Sequence, residues 1–253
     1  MMKIQYCSDL HLEFLKNTYF LHSNKLVPKA DILVLAGDIL PFCKNTDTIQ
    51  YFDFLSDNFK QTYWLPGNHE YYVSDVVRYH KYKANQIRHN VRVVKDEVVS
   101  INGVNLIFTT LWSKISIQNE LIVKSRVSDF SVIKIDGDDF RPKHFNQLHN
   151  ESLEFLTNAL ERNNNNKNIV ITHHVPTLQN YYEEYKNSPI NDAFAVNLDS
   201  FILNYQPEAW IYGHSHYNAP EFMIGKTHML TNQLGYVDSN EHGSFRLDAV
   251  FEI

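Results

Sequence analysis

The chain has 253 residues, 43% hydrophobic and 21% charged, which is the composition of an ordinary globular protein with enough apolar residues for a large core. Its net charge of -6 argues against a general surface for polyanions such as nucleic acids. Two cysteines, Cys7 and Cys43, are too few for a disulfide framework and favour a reducing compartment. The N-terminus lacks an apolar secretory stretch, and no run reaches the roughly 18 apolar residues of a membrane span. We therefore expect a cytoplasmic protein without a membrane partner.

The first third of the chain is predicted to alternate strands with helices. The run Asp31–Ala36 is almost continuously Ile, Leu and Val, which is typical of a strand buried on both faces in a parallel sheet covered by helices. Shorter β-prone runs at 3–8 and 61–65 predict two more strands. Helices are predicted over 46–60, where apolar residues recur on one face, and over 73–89.

The middle of the chain indicates antiparallel pairing. Strands are predicted over 91–94, 97–101 and 104–110, and the Asn-Gly pair between the last two is a strong hairpin signal. Residues 113–141 have weak periodicity, and we interpret them as an excursion over the edge of the sheet.

The last part returns to alternating helices and strands. Periodic apolar residues predict a helix over 142–162, and strand 169–172 then leads into a long loop over 175–193. A further helix is predicted over 192–205. The final strands are predicted over 209–212, 228–231 and 245–251. No repeat and no linker rich in Pro, Gly or Ser divides the chain, so we predict a single domain over residues 1–253.

Five predicted strand ends deliver Asp, Asn or His side chains. Open α/β sheets place their ligands at the carboxyl ends of the strands, so these side chains are expected to meet. Oxygen and imidazole donors of this kind suit divalent metal ions. The spacing within Asp9-x-His11 and His214-x-His216 would point both side chains of each pair the same way from extended backbone. The candidate metal ligands are Asp9, His11, Asp38, Asn68, His173, His214 and His216.

A pair of divalent ions held by these residues would support hydrolysis of phosphate esters. Asp38 would bridge the two ions, because a carboxylate has two oxygens. Ions about 3.5–4 Å apart stabilise the attacking and departing oxygens at phosphorus and lower the pKa of a bridging water toward neutrality. Direct attack by the bridging hydroxide would then need no activated Ser or Cys. Mn, Fe, Zn, Co and Ni all suit this mixed ligand set.

Together with Gly67-Asn68-His69-Glu70, these motifs resemble the signature of the calcineurin-like metallophosphoesterase superfamily over residues 8–216. The resemblance implies an α/β fold, a four-layer α/β/β/α sandwich of two mixed sheets flanked by helices. It also implies a metal-dependent phosphoric ester hydrolase.

The same resemblance implies roles for individual residues. His69 is expected to be a catalytic residue that contacts the phosphate or protonates the leaving oxygen, oriented by Glu70. His173 is favoured over its neighbour His174 as a ligand. One metal would be held by Asp9, His11 and His216, the other by Asn68, His173 and His214, and both by Asp38.

The second motif separates the chain from the protein Ser/Thr phosphatases. Those enzymes carry Gly-Asp-x-Val-Asp-Arg-Gly, whereas residues 37–43 here read Gly-Asp-Ile-Leu-Pro-Phe-Cys, without the arginine or the second aspartate. The chain more closely resembles the bacterial-type, phosphodiesterase-like branch.

Aromatic residues beside the motifs are predicted to select the substrate. Tyr71 follows the central motif, Trp112 ends a predicted strand, and Tyr181 lies in the long loop after His173. Their faces would stack on a nucleobase, and packing in the core is the alternative. We therefore predict hydrolysis of a small phosphodiester or phosphomonoester, with a nucleotide-like substrate as the specific hypothesis.

Two other functions are left open by the sequence. A nuclease of the same superfamily would need a basic channel, which the acidic composition argues against. A non-catalytic metal-bound scaffold would not need His69 and a complete ligand set.

Overall fold

The computed structural model describes residues 2–77, 86–163 and 166–253. Within these ranges the strands are β1 (Lys3–Cys7), β2 (Ile32–Ala36), β3 (Gln61–Leu65), β4 (Ser74–Asp75), β5 (Gln86–Arg88), β6 (Val91–Val93), β7 (Glu97–Ile101), β8 (Val104–Phe108), β9 (Ile133–Ile135), β10 (Asp138–Asp139), β11 (Lys167–Ile171), β12 (Ala209–Tyr212), β13 (Phe222–Ile224), β14 (Thr227–Thr231) and β15 (Val250–Glu252). The α-helices are α1 (Leu15–Ser23), α2 (Gln50–Asn58), α3 (Glu120–Arg126), α4 (Asp129–Val132), α5 (Pro142–Arg162), α6 (Glu183–Lys186) and α7 (Asp199–Tyr205). Single 3₁₀ turns lie at Thr46–Thr48, His69–Tyr71, Asn191–Ala193, Val237–Ser239 and Glu241–Ser244.

The first sheet has the strand order β15-β1-β2-β3-β6-β5. Its four central strands run parallel, while β15 and β5 pair antiparallel at the two edges. The carboxyl ends of β1, β2 and β3 therefore lie side by side at one edge of this sheet.

The second sheet has the strand order β13-β14-β12-β11-β8-β7. The strands β14, β12, β11 and β8 run parallel, and β13 and β7 pair antiparallel at the edges. The predicted β7–β8 hairpin is confirmed, and its turn residues Asn102 and Gly103 both have positive φ, 50° and 81°, as a type I′ turn requires. The predicted change to antiparallel pairing is wrong for the centre of this sheet, because crossovers through α5 and α7 return the chain parallel.

The two sheets pack face to face. Since successive side chains on a strand point to opposite faces of its sheet, every second side chain lies between the sheets and the others face the helices. On β2, Ile32, Val34 and Ala36 pack between the sheets, whereas Leu33 and Leu35 pack with side chains of α1 and α2. This strand is therefore buried on both faces, as its continuous apolar run predicts.

The outer face of the second sheet is covered in the same way. Ala209 and Ile211 of β12 face the first sheet, whereas Trp210 and Tyr212 pack with residues of α5 and α7. The layers follow the order helices, sheet, sheet, helices. This order confirms the predicted four-layer α/β/β/α sandwich of two mixed sheets.

Residues 113–141 form a separate lobe beside the sandwich. They contain α3, α4 and β9–β10, which join β4 in a three-stranded sheet. Phe130 and Phe140 of this lobe pack with Trp112 and with Phe145 of α5. The lobe is thus attached to the sandwich through an aromatic cluster.

The predicted helix over 73–89 is wrong at both described ends. Ser74–Asp75 is strand β4, which pairs with β9, and Gln86–Arg88 is strand β5, which pairs with β6. The β4–β9 pairing joins segments distant in sequence, which a local periodicity does not reveal, whereas β5 and β6 are neighbours in the chain. Residues 78–85 of this prediction lie outside the described residues.

Two other predicted elements are shorter than expected. The helix over 192–205 begins at Asp199, because Asp192 belongs to a 3₁₀ turn and its carboxylate accepts hydrogen bonds from Ser116 and Asn119. The strand over 245–251 is reduced to β15. Helix α1 and strand β13 were not predicted. The apolar pattern misses α1 because one of its buried residues is Asn17.

Among the described residues, no helix combines the length and the apolarity needed to cross a membrane.

Candidate metal centre

The predicted ligands follow the carboxyl ends of five parallel strands. Asp9 and Asp38 come two residues after β1 and β2, and Asn68 follows β3. His173 and His214 come two residues after β11 and β12. Because β1, β2 and β3 are neighbours in one sheet and β11 and β12 in the other, the two sheets bring these loops to one place.

The backbone at these strand ends is left-handed, and the expectation of extended backbone is wrong. The φ angles are 56° at Asp9, 46° at His11, 56° at Asp38, 76° at His214 and 52° at His216. Residues other than glycine rarely adopt positive φ, and such conformations cluster at functional sites where the surrounding structure holds them. Asp9 and His11 belong to one group of donor atoms, whereas His214 and His216 belong to different groups.

Asp9, His11 and His216 form the first group of donor atoms. The Nε2 atoms of His11 and His216 lie 3.0 Å apart, and His216 Nε2 lies 3.4 Å from Asp9 Oδ1. Each imidazole has a carboxylate at its other nitrogen, since Nδ1 of His11 donates to Glu13 (3.2 Å) and Nδ1 of His216 to Glu241 (2.6 Å). This arrangement keeps the proton on Nδ1 and turns both Nε2 lone pairs toward the same space.

The second group surrounds Nε2 of His173. This atom lies 3.3 Å from Asp38 Oδ1, 3.2 Å from Asn68 Oδ1 and 3.1 Å from His214 Nδ1. Asp38, His173 and His214 therefore have donor atoms within 4.8 Å of one another, and the Asn68 amide oxygen lies beside them.

Main-chain carbonyls fix the imidazoles of the second group. His173 Nδ1 donates to the Ala36 carbonyl at 2.9 Å, and His214 Nε2 donates to the Ala193 carbonyl at 3.2 Å. The remaining nitrogen of each ring therefore presents a lone pair to the other ring.

The amide of Asn68 is held by the lobe of residues 113–141. Asn68 Nδ2 donates to Asp129 Oδ1 at 2.9 Å, and the Tyr72 hydroxyl donates to the same oxygen at 2.9 Å. Asp129 is 1% exposed. Because its carboxylate binds the amide nitrogen, the amide oxygen of Asn68 faces His173.

These donor sets fit divalent cations. Facing lone pairs at 3.0 and 3.1 Å repel one another unless a proton or a metal cation lies between them. Two ligands about 2.1 Å from one ion and at right angles to each other are separated by about 3.0 Å, as these pairs are. The structure brings together all seven predicted donors, and their metal binding stays a prediction.

Glycines leave room for this convergence. A Cβ atom at Gly37, where φ is +94°, would lie 2.2 Å from His173 Nδ1. One at Gly67 would lie 2.3 Å from Asp38 Oδ1. The glycines of the Gly-Asp and Gly-Asn pairs are thus explained by close approach of the loops.

The buried charges of the site compensate one another. Although burial opposes ionisation, the neighbouring His173 and His69 hold the pKa of Asp38 well below its usual value. Against the same cost of burial, Asp38 raises the pKa of His173 to about 9, and hydrogen bonds to Asp9 and Glu241 raise that of His216 to about 10. The carboxylates of the site therefore favour positive charge beside them, which bound cations would also supply.

His69, the predicted catalytic residue, lies beside the first group. Its Nδ1 donates to Glu13 Oε1 at 3.1 Å, the oxygen that also accepts from His11, and its Nε2 lies 3.4 Å from the Tyr236 hydroxyl. The expectation that Glu70 orients His69 is wrong, because Glu13 occupies that position.

Glu70 holds the loops of the first sheet. Its two carboxylate oxygens accept hydrogen bonds from the backbone N–H groups of Asp38, Ile39 and Gly67 and from Trp64 Nε1, at 2.6 to 3.0 Å. Burial and the charge of Asp38 raise the pKa of Glu70 to about 7, while the four donors favour its ionised form. Glu70 therefore fixes the position of Asp38.

His174 lies behind the site. It is fully buried, packs against Trp112, Phe145 and His214, and has no hydrogen bond from either ring nitrogen among the described residues. His173 belongs to a donor group and His174 does not, which agrees with the preference for His173.

A cavity of about 390 Å³ adjoins the donors. We call the loops that carry the predicted ligands the floor of this cavity. Its wall consists of the residues within 126–129 and 181–194 that line the cavity. Tyr181 lines the wall, whereas Tyr71 and Trp112, each 1% exposed, lie in the aromatic cluster and do not line the cavity. The predicted substrate contacts of Tyr71 and Trp112 gain no support from this placement.

Several lining or supporting residues were missed by sequence reasoning. Glu13 stands two residues after His11, so its proximity was a usable signal. Arg126, Asp129, Tyr236 and Glu241 reach the site from segments without a recognisable motif.

A family model described as calcineurin-like phosphoesterase matches residues 2–218. An uncharacterized protein of Acanthamoeba polyphaga mimivirus is 32% identical over 277 aligned residues, which cover 99% of this chain and 96% of that protein.

Solved structures share the fold. The phosphopantetheinyl hydrolase PptH of Mycobacterium tuberculosis superposes with a TM-score of 0.71 at 17% identity, covering 96% of this chain and 92% of that one. A dimetal phosphatase from Danio rerio superposes with a TM-score of 0.50 at 12% identity, covering 92% of this chain and 87% of that one.

Proposed function

Because the chain belongs to the calcineurin-like phosphoesterase family, we propose that it hydrolyses a small phosphodiester or phosphomonoester at a pair of divalent metal ions. The observation that supports this most strongly is the convergence of buried acceptor atoms in one place. In each of the four imidazoles, one ring nitrogen donates to a carboxylate or a carbonyl, which leaves the other nitrogen as an acceptor facing the site. We further propose that residues 1–253 act as one domain, since both sheets contribute donors to the same site.

The seven donors divide into two sets in this proposal. Asp38 lies between them, with Oδ1 3.3 Å from His173 and Oδ2 4.0 Å from His11, so one carboxylate oxygen faces each set. Bound ions would supply polarisation of the phosphoryl oxygens and a lowered pKa for water between them. The first ion would be held by Asp9, His11, His216 and Asp38, the second by Asn68, His173, His214 and Asp38.

His69 is proposed to handle the proton of the leaving group. Glu13 accepts the Nδ1 proton and thereby fixes the ring, which also stacks on Tyr72 with 4.0 Å between ring centres. His69 Nε2 then lies 4.0 Å from Asp38 Oδ2, on the side of the cavity. From this position it would donate a proton to the departing oxygen or a hydrogen bond to the phosphate.

The size and lining of the cavity support a small organic phosphate as the substrate. A volume of about 390 Å³ lies in the range of small-molecule sites, and Tyr181, Tyr185 and Phe194 supply aromatic surface. A nucleotide-like substrate is the specific form of the proposal, because a base would stack on such rings.

The test is hydrolysis of a panel of esters by metal-supplemented protein. The panel contains bis-p-nitrophenyl phosphate, p-nitrophenyl phosphate, cyclic nucleotides and a phosphopantetheinyl diester, each with Mn²⁺, Fe²⁺, Zn²⁺, Co²⁺ or Ni²⁺. We expect turnover of at least one ester and a fall of about 10³-fold in Asp38→Asn, which keeps the shape of the side chain but removes the shared charge.

Exposed Asp139→Asn is the matched control and should retain full activity. Cleavage of single-stranded DNA or RNA in preference to all the small esters would favour a nuclease. Metal binding with no hydrolysis of any substrate would favour a scaffold and reject the proposal.

A further inference from the structure

The wall of the cavity contains a cationic side chain that the metal chemistry does not use. Arg126 is the last residue of α3 and lines the same cavity as Asp38, Asn68 and His69. It belongs to the lobe of residues 113–141, not to the strand-end loops. Its contribution is therefore separate from that of the predicted metal ligands.

The guanidinium of Arg126 has no ionic partner in the part of the chain that the structure describes. Across residues 2–77, 86–163 and 166–253 it makes no hydrogen bond and no ion pair, whereas Arg88 binds Asp53 and Arg92 binds Glu97. Arg126 is exposed, so its five donors are accessible from the cavity.

The acidic residues of the cavity are engaged elsewhere. Asp129 accepts hydrogen bonds from Asn68 and Tyr72, and Glu241 accepts from His216 and from the backbone N–H of Tyr236. Neither carboxylate neutralises Arg126. An anionic group of a ligand would therefore find an unpaired guanidinium, the side chain best suited to bind phosphate or carboxylate through two parallel hydrogen bonds.

The wall that carries Arg126 also presents apolar side chains to the cavity. Val127, Tyr181, Tyr185, Ile190 and Phe194 line it, together with the polar residues Ser128, Ser188 and Asn191. If a ligand contacted both the floor and Arg126, its organic part would thus pack against these apolar side chains. These features define a molecule with an anion at each end and an aromatic or apolar part between them.

Resting on the proposed function, we propose that Arg126 is a specificity-determining residue that selects phosphate esters carrying a second anionic group on their organic part. The reacting phosphate would lie on the floor, and the second group, a phosphate or a carboxylate, would bind Arg126.

The primary test is binding to the Mn²⁺-loaded protein by calorimetry. Thymidine 5′-monophosphate is compared with thymidine 3′,5′-bisphosphate and with the 5′-monophosphate bearing a 3′-O-carboxymethyl group. We expect the bisphosphate to bind about tenfold more tightly than the monophosphate, which is the scale of a charge-assisted hydrogen-bonded pair. The carboxymethyl compound shows whether carboxylate serves as well as phosphate.

Arg126→Gln should remove this preference while leaving the affinity for the monophosphate within about twofold, and Arg126→Lys should restore part of it. Lys124→Gln is the matched control, because Lys124 is an exposed cation of the same helix and does not line the cavity. A preference that is absent in the unmodified protein, or that survives Arg126→Gln, would overturn the proposal.

Turnover of the p-nitrophenyl esters of the same thymidine phosphates separates this inference from the proposed function. A binding preference that depends on Arg126, without hydrolysis of any ester, would reject the proposed function and keep the role of Arg126. Hydrolysis that is indifferent to the second anion would keep the proposed function and reject the role of Arg126.

Discussion

The floor and the wall of the cavity differ in how firmly their side chains are held. On the floor, Asp9 and His173 are completely buried, and carboxylates or carbonyls bind the outer nitrogen of the four ligand imidazoles. On the wall, Tyr185 is 43% exposed and Arg126 lies on a seven-residue helix without a partner among the described residues. The floor is therefore preorganised, whereas wall residues such as Arg126 and Tyr185, which do not contact the predicted ligands, can change without disturbing it.

This contrast has a topological origin. Floor residues follow strands whose positions are set by hydrogen bonding within two sheets, so their donor atoms meet within narrow limits. Wall residues come from the lobe of residues 113–141 and from the segment after β11, which contains the short helix α6. Substitutions on the floor should therefore lower the rate of reaction, and those on the wall should alter substrate affinity.

The strongest test of the floor beyond the ligands is Glu13. Removing its carboxylate in Glu13→Ala leaves His69 and His11 without their common acceptor, and we expect kcat to fall between about 10- and 100-fold while KM changes little. Glu13→Gln, which keeps an acceptor oxygen without the charge, should recover part of the loss. Steady-state kinetics on the best ester of the panel measures both.

A double-mutant cycle shows whether Glu13 acts through His69. If it does, Glu13→Ala should lower kcat by a much smaller factor in a His69→Ala background than in the unmodified protein. Additive losses would instead assign Glu13 a role through His11 or through folding, and thermal unfolding of each variant distinguishes these two.

Asp129 tests a place where the wall supports the floor. Asp129→Ala frees the amide of Asn68, so we expect Mn²⁺ affinity at the second set of donors to fall by about tenfold. Tyr72→Phe removes the other hydrogen bond to the same oxygen and the longer one, 3.5 Å, that the Tyr72 hydroxyl accepts from Asn68 Nδ2. It should change the affinity by less than about twofold. Calorimetric titration of chelator-treated protein gives both values. Equal affinity in Asp129→Ala and the unmodified protein would show that Asn68 keeps its orientation without Asp129.

The floor could be predicted from sequence because its determinants are local. Asp38 follows a continuous apolar strand, and strands of this kind run parallel and end at one edge of a sheet. The left-handed backbone at Asp9 and His11 could not be predicted, because it is imposed by packing against loops from other strands. The same limit explains why Glu70 was assigned to His69 when its partners are backbone N–H groups.

The wall could not be predicted because its determinants are distant in sequence. Trp112 and Tyr71 are aromatic residues of the kind that stack on ligands. In the structure Trp112 packs against Phe140 and Tyr71 against Phe42, in an aromatic cluster that only the folded lobe creates. The wrong prediction of helix at Ser74–Asp75 has the same cause, since this segment pairs with a strand nearly sixty residues later. Local patterns therefore identify the side chains that converge at the strand ends better than those that line the rest of the cavity.

Tyr185 provides the mildest test of the comparison. It lines the cavity and is partly exposed, so Tyr185→Leu should remove aromatic stacking without moving the donors. We expect KM for an ester with an aromatic base to rise about two- to fivefold, with kcat unchanged. Tyr19→Leu is the matched control, because Tyr19 is 72% exposed on α1 and does not line the cavity. A fall in kcat equal to the rise in KM would mean that the wall also positions the reacting phosphate, and the division between floor and wall would then have to be abandoned.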